Sequence, residues 1–425
     1  MHIQCTRGTP IVDMLDHLPP LPLVVNYVYT SVTILTEQDE SGIYQALRLR
    51  DRLRHINLHL RPSILYKCLG LMDTRFPVLE HLSLSFATDE ITTLTLPQAF
   101  LAPNLRYLSF PRITPPERLR LLTSAVSLVT LVLWDIQHSS YFRPTQLLAC
   151  VSSLPQLEKL SIGFSTSIPR PSTETELLGD QGTPATLPKL KSLWFQGVSA
   201  YLECLVAQMS APLLDRLDIT LFNQITITLT HLSHFISRTE RFTLTTARVS
   251  FDRDEFFIVT NHHNTPGTDR RFIFHVMCHQ LDRQIDCAAH ICRVLIPALS
   301  SVERFTLDFY DDVLPIEWRN GEIGGRRWRE LLRSFIGMRE LHVDDAFLME
   351  LSRALQVVTV MLDPHFLPDL RDIVAEDNMF ASFINTRRLV GRPVRFSSPP
   401  PPSWRADFRQ SSDSTQAFAA ILTET

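Results

Sequence analysis

Apolar residues recur along this chain in one short phrase. Residues 76–86 read FPVLEHLSLSF, and Leu79, Leu82, Leu84 and Phe86 fall on the spacing L-x-x-L-x-L-x-F. Successive side chains of an extended chain alternate, so Leu82, Leu84 and Phe86 share one face while His81, Ser83 and Ser85 share the other. The phrase returns at Leu53-Ile56-Leu58-Leu60, Leu105-Leu108-Phe110, Leu128-Leu131-Leu133, Leu157-Leu160-Ile162, Leu190-Leu193-Phe195 and Leu214-Leu217-Ile219. Two later copies are Val302-Phe305-Leu307 and Met338-Leu341-Val343.

Between the phrases the apolar spacing becomes helical. Ile64, Leu65, Cys68, Leu69 and Met72 share one helical face, as do Leu147, Leu148 and Val151. Leu202, Leu205, Val206 and Met209 repeat the pattern, followed by Leu229, Leu232, Phe235 and Ile236. Pro62 and Pro144 stand where a helix can begin, because the first turn tolerates a missing N–H. The unit is therefore strand, turn, helix and return. Its starts at 53, 79, 105, 128, 157, 190 and 214 lie 23–33 residues apart. That period predicts an α/β fold, an irregular leucine-rich-repeat solenoid with a parallel concave β-sheet and outer helices.

Stacking is an energetic necessity for such units. Burying one Leu, Ile or Phe stabilises by roughly 1.5–3 kcal/mol, whereas ordering each backbone residue costs about 1–2 kcal/mol. A lone unit cannot close that gap, so neighbours must share a core. The expected organisation is an N-terminal cap or incomplete first repeat over 1–52, a solenoid over 53–395 and a Pro/Ser-rich disordered tail over 396–425. Within the cap, 9–12 and 23–34 read as short extended segments, and a helix begins at Glu37. Phe380, Phe383 and Ile384 predict a last helix covering the open end, stopped by Gly391 and Pro393.

Two stretches break the rhythm. Residues 165–188 are rich in Ser, Thr, Pro and Gly and read as an exposed insertion. Over 239–301 the phrase is degraded, with strands expected at 240–244 and 271–276 and a turn at 262–267. Asn223 is isolated and no asparagine recurs once per repeat, which predicts an uneven curve.

Composition narrows the picture only a little. The 425 residues are 44% apolar and 20% charged, the balance of an ordered chain. Forty-one basic against 45 acidic residues, net −4, argue against nucleic acid as the main partner, since phosphates demand clustered cations. Seven scattered cysteines, the polar opening and the absence of a long apolar run together predict a cytoplasmic or nuclear protein without a membrane span.

Candidate binding residues are the outward positions of the strands: His81, Tyr107, Trp134, Trp194, Asp308, His342 and Asp344. Aromatics presented there suit interface anchors. Each tryptophan equally suits a cover for its neighbour's strand, and Asp344–Asp345 suit a helix cap for 347–355. His275, Cys278, His279, Cys287, His290 and Cys292 crowd together, but no Cys-x-x-Cys pair exists and the residues divide between a predicted strand and a helix. Buried thiols fit that pattern better than zinc, so no metal and no cofactor is expected. No Gly-x-Ser-x-Gly, Gly-x4-Gly-Lys or Gly-x-Gly-x-x-Gly motif occurs, and no catalytic residue is singled out. The loop 321–325 reads as a solvated turn, and 399–402 as a spacer.

Several phrases carry a resemblance. Arg7-Gly-Thr-Pro10, Phe76-Pro-Val-Leu-Glu80, Val198-Ser-Ala-Tyr-Leu-Glu203 and Trp328-Arg-Glu-Leu-Leu-Arg-Ser-Phe335 occur in order. Val343-Asp344-Asp345 and the closing Phe383-Ile-Asn-Thr-Arg387 … Gly391-Arg-Pro-Val394 follow. Over 7–394 they resemble the leucine-rich half of the large F-box protein family expanded in mushroom-forming fungi. The resemblance implies a repeat surface that recruits a protein substrate to a cullin–RING ubiquitin ligase. An F-box, which docks on a Skp-type adaptor, would open Leu-Pro-x-Glu ahead of Arg7, whereas Leu18-Pro19-Pro20-Leu21 lies after it. The expectation is thus a non-enzymatic substrate-binding part. The alternatives are an orphan scaffold detached from any ligase, or an enzyme with an unrecognised site in 239–325.

Overall fold

The computed structural model describes residues 2–9, 14, 21–28, 35–87, 95–112, 120–137, 141–165, 184–222, 227–239, 244–261, 270–278, 281–309, 325–356 and 366–399, without side chains at 281 and 282. Expectations at 10–12, 29–34, 166–183, 223, 240–243, 262–267, 279, 321–324 and 400–425 lie outside the described residues.

Every copy of the leucine phrase becomes a strand of one sheet. Among the described residues the first seven strands are β1 (Ile3–Cys5), β2 (Leu23–Val28), β3 (Leu53–Leu60), β4 (His81–Phe86), β5 (Tyr107–Pro111), β6 (Thr130–Ile136) and β7 (Lys159–Phe164). After β8 (Ala185–Thr186) come β9 (Ser192–Gly197), β10 (Met209–Ser210) and β11 (Arg216–Leu221). Then follow β12 (Thr246–Phe251), β13 (Glu255–Asn261), β14 (Arg271–Met277), β15 (Arg304–Phe309), β16 (Glu340–Val343), β17 (Asp372–Val374) and β18 (Arg395–Ser397). Sixteen of them form the sheet in the order β1-β2-β3-β4-β5-β6-β7-β9-β11-β14-β13-β12-β15-β16-β17-β18, while β8 and β10 pair apart.

The period of two fixes which residues go inside. In β4 and β9, buried and half-buried residues alternate strictly. The leucines of the phrases join a single core cluster with the apolar sides of the helices, so helices cover one face and leave the other open. Helices Pro62–Leu71 and Pro144–Val151 start on the two expected prolines. The last helix, Ala381–Leu389, precedes Gly391, whose φ of +74° ends it in the left-handed region that glycine adopts without strain.

The degraded region is where the sheet departs from expectation. The strands there are β12 and β13 in addition to the expected β14, and β13 runs antiparallel to both neighbours. Three residues join β12 to β13, too few for the crossover that a parallel pair requires, so the chain must reverse. Fully buried Gln284 ties the insertion together, its Nε2 donating to the carbonyls of Asp252, Arg253 and Cys278 at 2.9, 3.2 and 2.7 Å. Parallel pairing resumes from β11 to β14 and from β12 to β15, so the sheet is mostly parallel and continuous.

Polar contacts close both ends. Asp39 accepts from the Gly8 N–H (2.8 Å), the Thr36 N–H (3.0 Å) and the Thr36 hydroxyl (2.8 Å), completing the capping box of helix Glu37–Arg48. Gly8, with φ of +71°, makes the turn that presents its N–H. At the far end Arg387, 1% exposed, donates to the carbonyls of Phe366, Leu367 and Leu370 at 3.4, 3.0 and 3.4 Å. The Arg7–Pro10 and Phe383–Arg387 phrases that carry the resemblance thus include residues that build these two ends.

Candidate interaction surface

The parallel register lines the outward side chains of the open face into rows. One row runs His55, His81, Tyr107, Thr130, Lys159, Ser192, Arg216 and Arg271, and continues through Asn261, Thr246, Arg304, Glu340 and Asp372 to Arg395. A second begins Asn57, Ser83, Ser109 and reaches Trp194, Asp218 and, further on, Thr306 and His342. Strands lie about 4.8 Å apart, so residues far apart in sequence become neighbours at contact distance.

His81 and Tyr107 are brought together. Their rings stack 4.1 Å apart and 2° from parallel, and His55 stacks on the other side of His81 at 3.8 Å and 5°. Stacking removes water from the rings, so burial pushes the His81 pKa down to about 3. Burial lowers His55 and His59 too, with the His2 charge adding to the effect at His55. Tyr107 faces outward yet is only 7% exposed, because His81 covers one side of it. His59 Nδ1 and Ser85 Oγ lie 2.7 Å apart, and Asn57 donates to Asn26 at 3.2 Å.

Trp194 reaches over a glycine of β7 toward the backbone at Trp134. A Cβ on Gly163 of β7 would fall 2.8 Å from Trp194 Cζ3 and 3.7 Å from the Trp134 Cα, so the Trp194 ring lies over β7 while remaining half-buried. Beside Trp134 the strand bulges at Asp135, where φ is +51°, and Arg112 on the preceding strand end also has φ of +51°. The two are joined by an ion pair at 2.5 Å, and the Arg112 N–H donates to the Trp134 carbonyl.

Asp308, His342 and Asp344 meet at a dimple of about 20 Å³ that Glu376 also lines. That volume holds about one water. Asp308 is 4% exposed rather than open, because β12, inserted next to β15, closes Arg248 and Ser250 over it. The Ser250 hydroxyl donates to its carboxylate at 2.6 Å and Arg248 makes an ion pair with it. His342 Nε2 lies 2.6 Å from Glu340, which Arg304 also holds at 2.9 Å. Burial opposes ionisation of Glu340, but the bonds from Arg304 and His342 outweigh it and keep the carboxyl below its usual range. Asp344 caps the helical turn Asp345–Phe347, accepting from the Ala346 N–H at 3.0 Å.

The seven residues therefore form three groups along one face. The sequence also held His55, Asn57 and His59, at the same positions of the phrase as His81, Ser83 and Ser85; aligning phrase on phrase would have found them. Arg248 carried no such signal, because β12 lacks the leucine spacing.

The thiol and imidazole cluster is split between strand and helix, with Cys278 and Cys287 brought together by a hydrogen bond across the split. His275 Nε2 lies 2.6 Å from Glu255 on the open face, whereas Cys292 is buried under the sheet in helix Leu281–Val294 and His290 Nε2 lies 2.9 Å from the Ile227 carbonyl. A cavity of about 340 Å³, larger than the dimple at Asp308, lies between helices Ser199–Ala207 and Thr230–Arg238 on the covered side.

No family model and no curated protein matches the sequence. Among solved structures the chain is similar to that in the crystal structure of a TLR13–ssRNA13 complex, at 13% identity and a TM-score of 0.30. That match covers 94% of this chain and 50% of the other, so the chain spans half that protein's length. It is also similar to the leucine-rich repeat-containing protein LegL7 from Legionella pneumophila, at 10% identity and a TM-score of 0.28, covering 93% and 99%. The repeat phrase, the register and the one-sided helices define the class: this is a leucine-rich-repeat solenoid.

Proposed function

We propose that the chain is a non-catalytic protein-recognition scaffold which holds a partner on the open face of its sheet, the concave surface of such a solenoid. The observation that carries this reading is the continuous rows of outward side chains, in which aromatic and polar groups from many repeats stand side by side. A surface built this way is extended and preorganised, and aromatic groups on it serve as anchors. His81, Tyr107, Trp134, Trp194, Asp308, His342 and Asp344 are the proposed contact residues.

The finer reading follows the resemblance to fungal F-box proteins. On it, the chain is the substrate-recognition part of a cullin–RING ubiquitin ligase subunit in the cytoplasm or nucleus. It would engage a Skp-type adaptor only where the gene product also carries an F-box. Affinity capture of the tagged protein from its own cells tests both levels. Proteins that co-purify with the wild type and are lost with Trp134→Ala/Trp194→Ala support the scaffold; retention of every partner by that variant contradicts it. A Skp-type adaptor in the wild-type eluate supports the ligase role, and substrates without adaptor leave an orphan scaffold.

A further inference from the structure

The open face is not uniform along the sheet. From β2 to β9 its outward positions carry mostly Val, Asn, His, Ser, Tyr, Thr, Trp and Gln; the formal charges within these seven strands are Arg54, Asp135 and Lys159, and the first two are held in ion pairs. From β11 onward nearly every strand brings an arginine or a carboxylate, and these engage one another. Arg216 meets Asp218 at 2.6 Å, Arg304 meets Glu340 at 2.9 Å and Arg395 meets Asp372 at 2.8 Å. The rims of the uncharged half are neutralised in the same way, by Arg54–Glu80 at 2.9 Å, Lys191–Glu158 at 2.8 Å and Arg112–Asp135.

We propose that the uncharged floor from β2 to β9 is the docking surface, and that its occupant is an extended, uncharged polypeptide segment. This deepens the recognition reading above and rests on it. Away from Lys159, an ion pressed onto this floor would lose its hydration and find no counter-charge, a cost of several kcal/mol per ion by the usual penalty for unpaired buried charge. The floor therefore discriminates against charged segments. Its hydrogen-bonding groups favour a peptide backbone. In the His55–His81–Tyr107 stack the ring planes stand across the row, so the rings present edges outward, where nitrogens and a hydroxyl can meet N–H and C=O groups. Asn26, Asn57 and Ser83 extend the same chemistry, and Trp134 and Trp194 add apolar anchors at the far end. Seven strands about 4.8 Å apart span roughly 29 Å, the reach of about nine extended residues.

The test pans a phage-displayed library of random nonapeptides against the full chain, then measures synthetic versions of the enriched peptides by fluorescence polarisation. The expected peptides are depleted in Asp, Glu, Lys and Arg. Their Kd changes less than about twofold between about 0.05 and about 0.5 M salt, because no exposed charge pair is screened. Ser83→Glu and Trp194→Ala weaken them by about tenfold or more, while Thr306→Glu on β15 leaves them unchanged. Circular dichroism checks each fold, and Asn26→Glu, at an exposed position, replaces Ser83→Glu should that variant misfold. Charged peptides whose binding falls with salt and is lost in Thr306→Glu would overturn the docking proposal while leaving the recognition reading intact. Failure to enrich any peptide, or peptides indifferent to every open-face variant, would overturn both.

Discussion

His81 lies flat against Tyr107, ring centroids 4.1 Å apart, although 26 residues separate them; the parallel register alone makes them neighbours. With His55 on its other face, His81 is held neutral, its pKa pushed down to about 3 by burial. In the unfolded chain the same imidazole takes up its proton near the ordinary value, about 6.5. Between these values the unfolded state binds more protons, so stability is complete above about pH 6.5 and falls as the pH drops toward 3. Denaturant midpoints measured at pH 7 and pH 5 are expected to differ, with the lower at pH 5. His81→Phe keeps the stack without the titration and is expected to reduce the difference. An unchanged difference in that variant would contradict this account of the stack.

Glu203 holds the next repeat's helix from outside it. Its carboxylate is 6% exposed and accepts the N–H groups of His231 and Leu232, both at 2.8 Å, at the start of helix Thr230–Arg238. Those donors have no intrahelical acceptors, and the helix N-terminus favours a negative charge. Glu203→Ala is expected to cost about 2–4 kcal/mol, and Glu203→Gln, which keeps an acceptor, about 1 kcal/mol. Hydrogen exchange should rise first over 230–238 and the neighbouring helix. Uniform or unchanged exchange would count against the coupling.

Arg387 does for the far end what Glu203 does for the middle. Arg387→Met removes the donors of three carbonyls in 366–370 and is expected to open 366–397 to limited proteolysis, with a local loss of about 2–3 kcal/mol. Leu367, which has φ of +48°, adds a strained backbone that these bonds help to hold. Cleavage no faster than in the wild type would show that the arginine is dispensable.

Gly163 makes room for Trp194. In Gly163→Val the branched side chain occupies the ring's place, so the tryptophan must leave β7. A red-shifted emission and weakened partner binding are expected, with the fold retained by circular dichroism. Emission identical to the wild type would mean that Trp194 does not rest there.

The sequence made the strands easy to see and their direction hard. Leu82, Leu84 and Phe86 point inward because alternation has a period of two, and a buried apolar face cannot slip by one residue. Alternation carries no arrow, however, and Ala247-Val249-Phe251 of β12 and Phe256-Ile258-Thr260 of β13 lack the leucines that mark the other strands. Their antiparallel pairing is set by a turn at 252–254 and by Gln284, which follows it by about thirty residues. The site was legible in the same proportion. His81, Tyr107, Trp134 and Trp194 could be placed from the phrase alone, whereas the closing of Arg248 over Asp308 joins strands sixty residues apart.

The most direct test of the central claim, that partners bind the open face, is site-specific photo-crosslinking in cells. A benzoylphenylalanine is placed at Ser83 on the open face or at exposed Lys67 on helix Pro62–Leu71 of the covered side. Adducts formed from position 83 and absent from position 67 are the expected result. Adducts from position 67 with none from position 83 would contradict the claim.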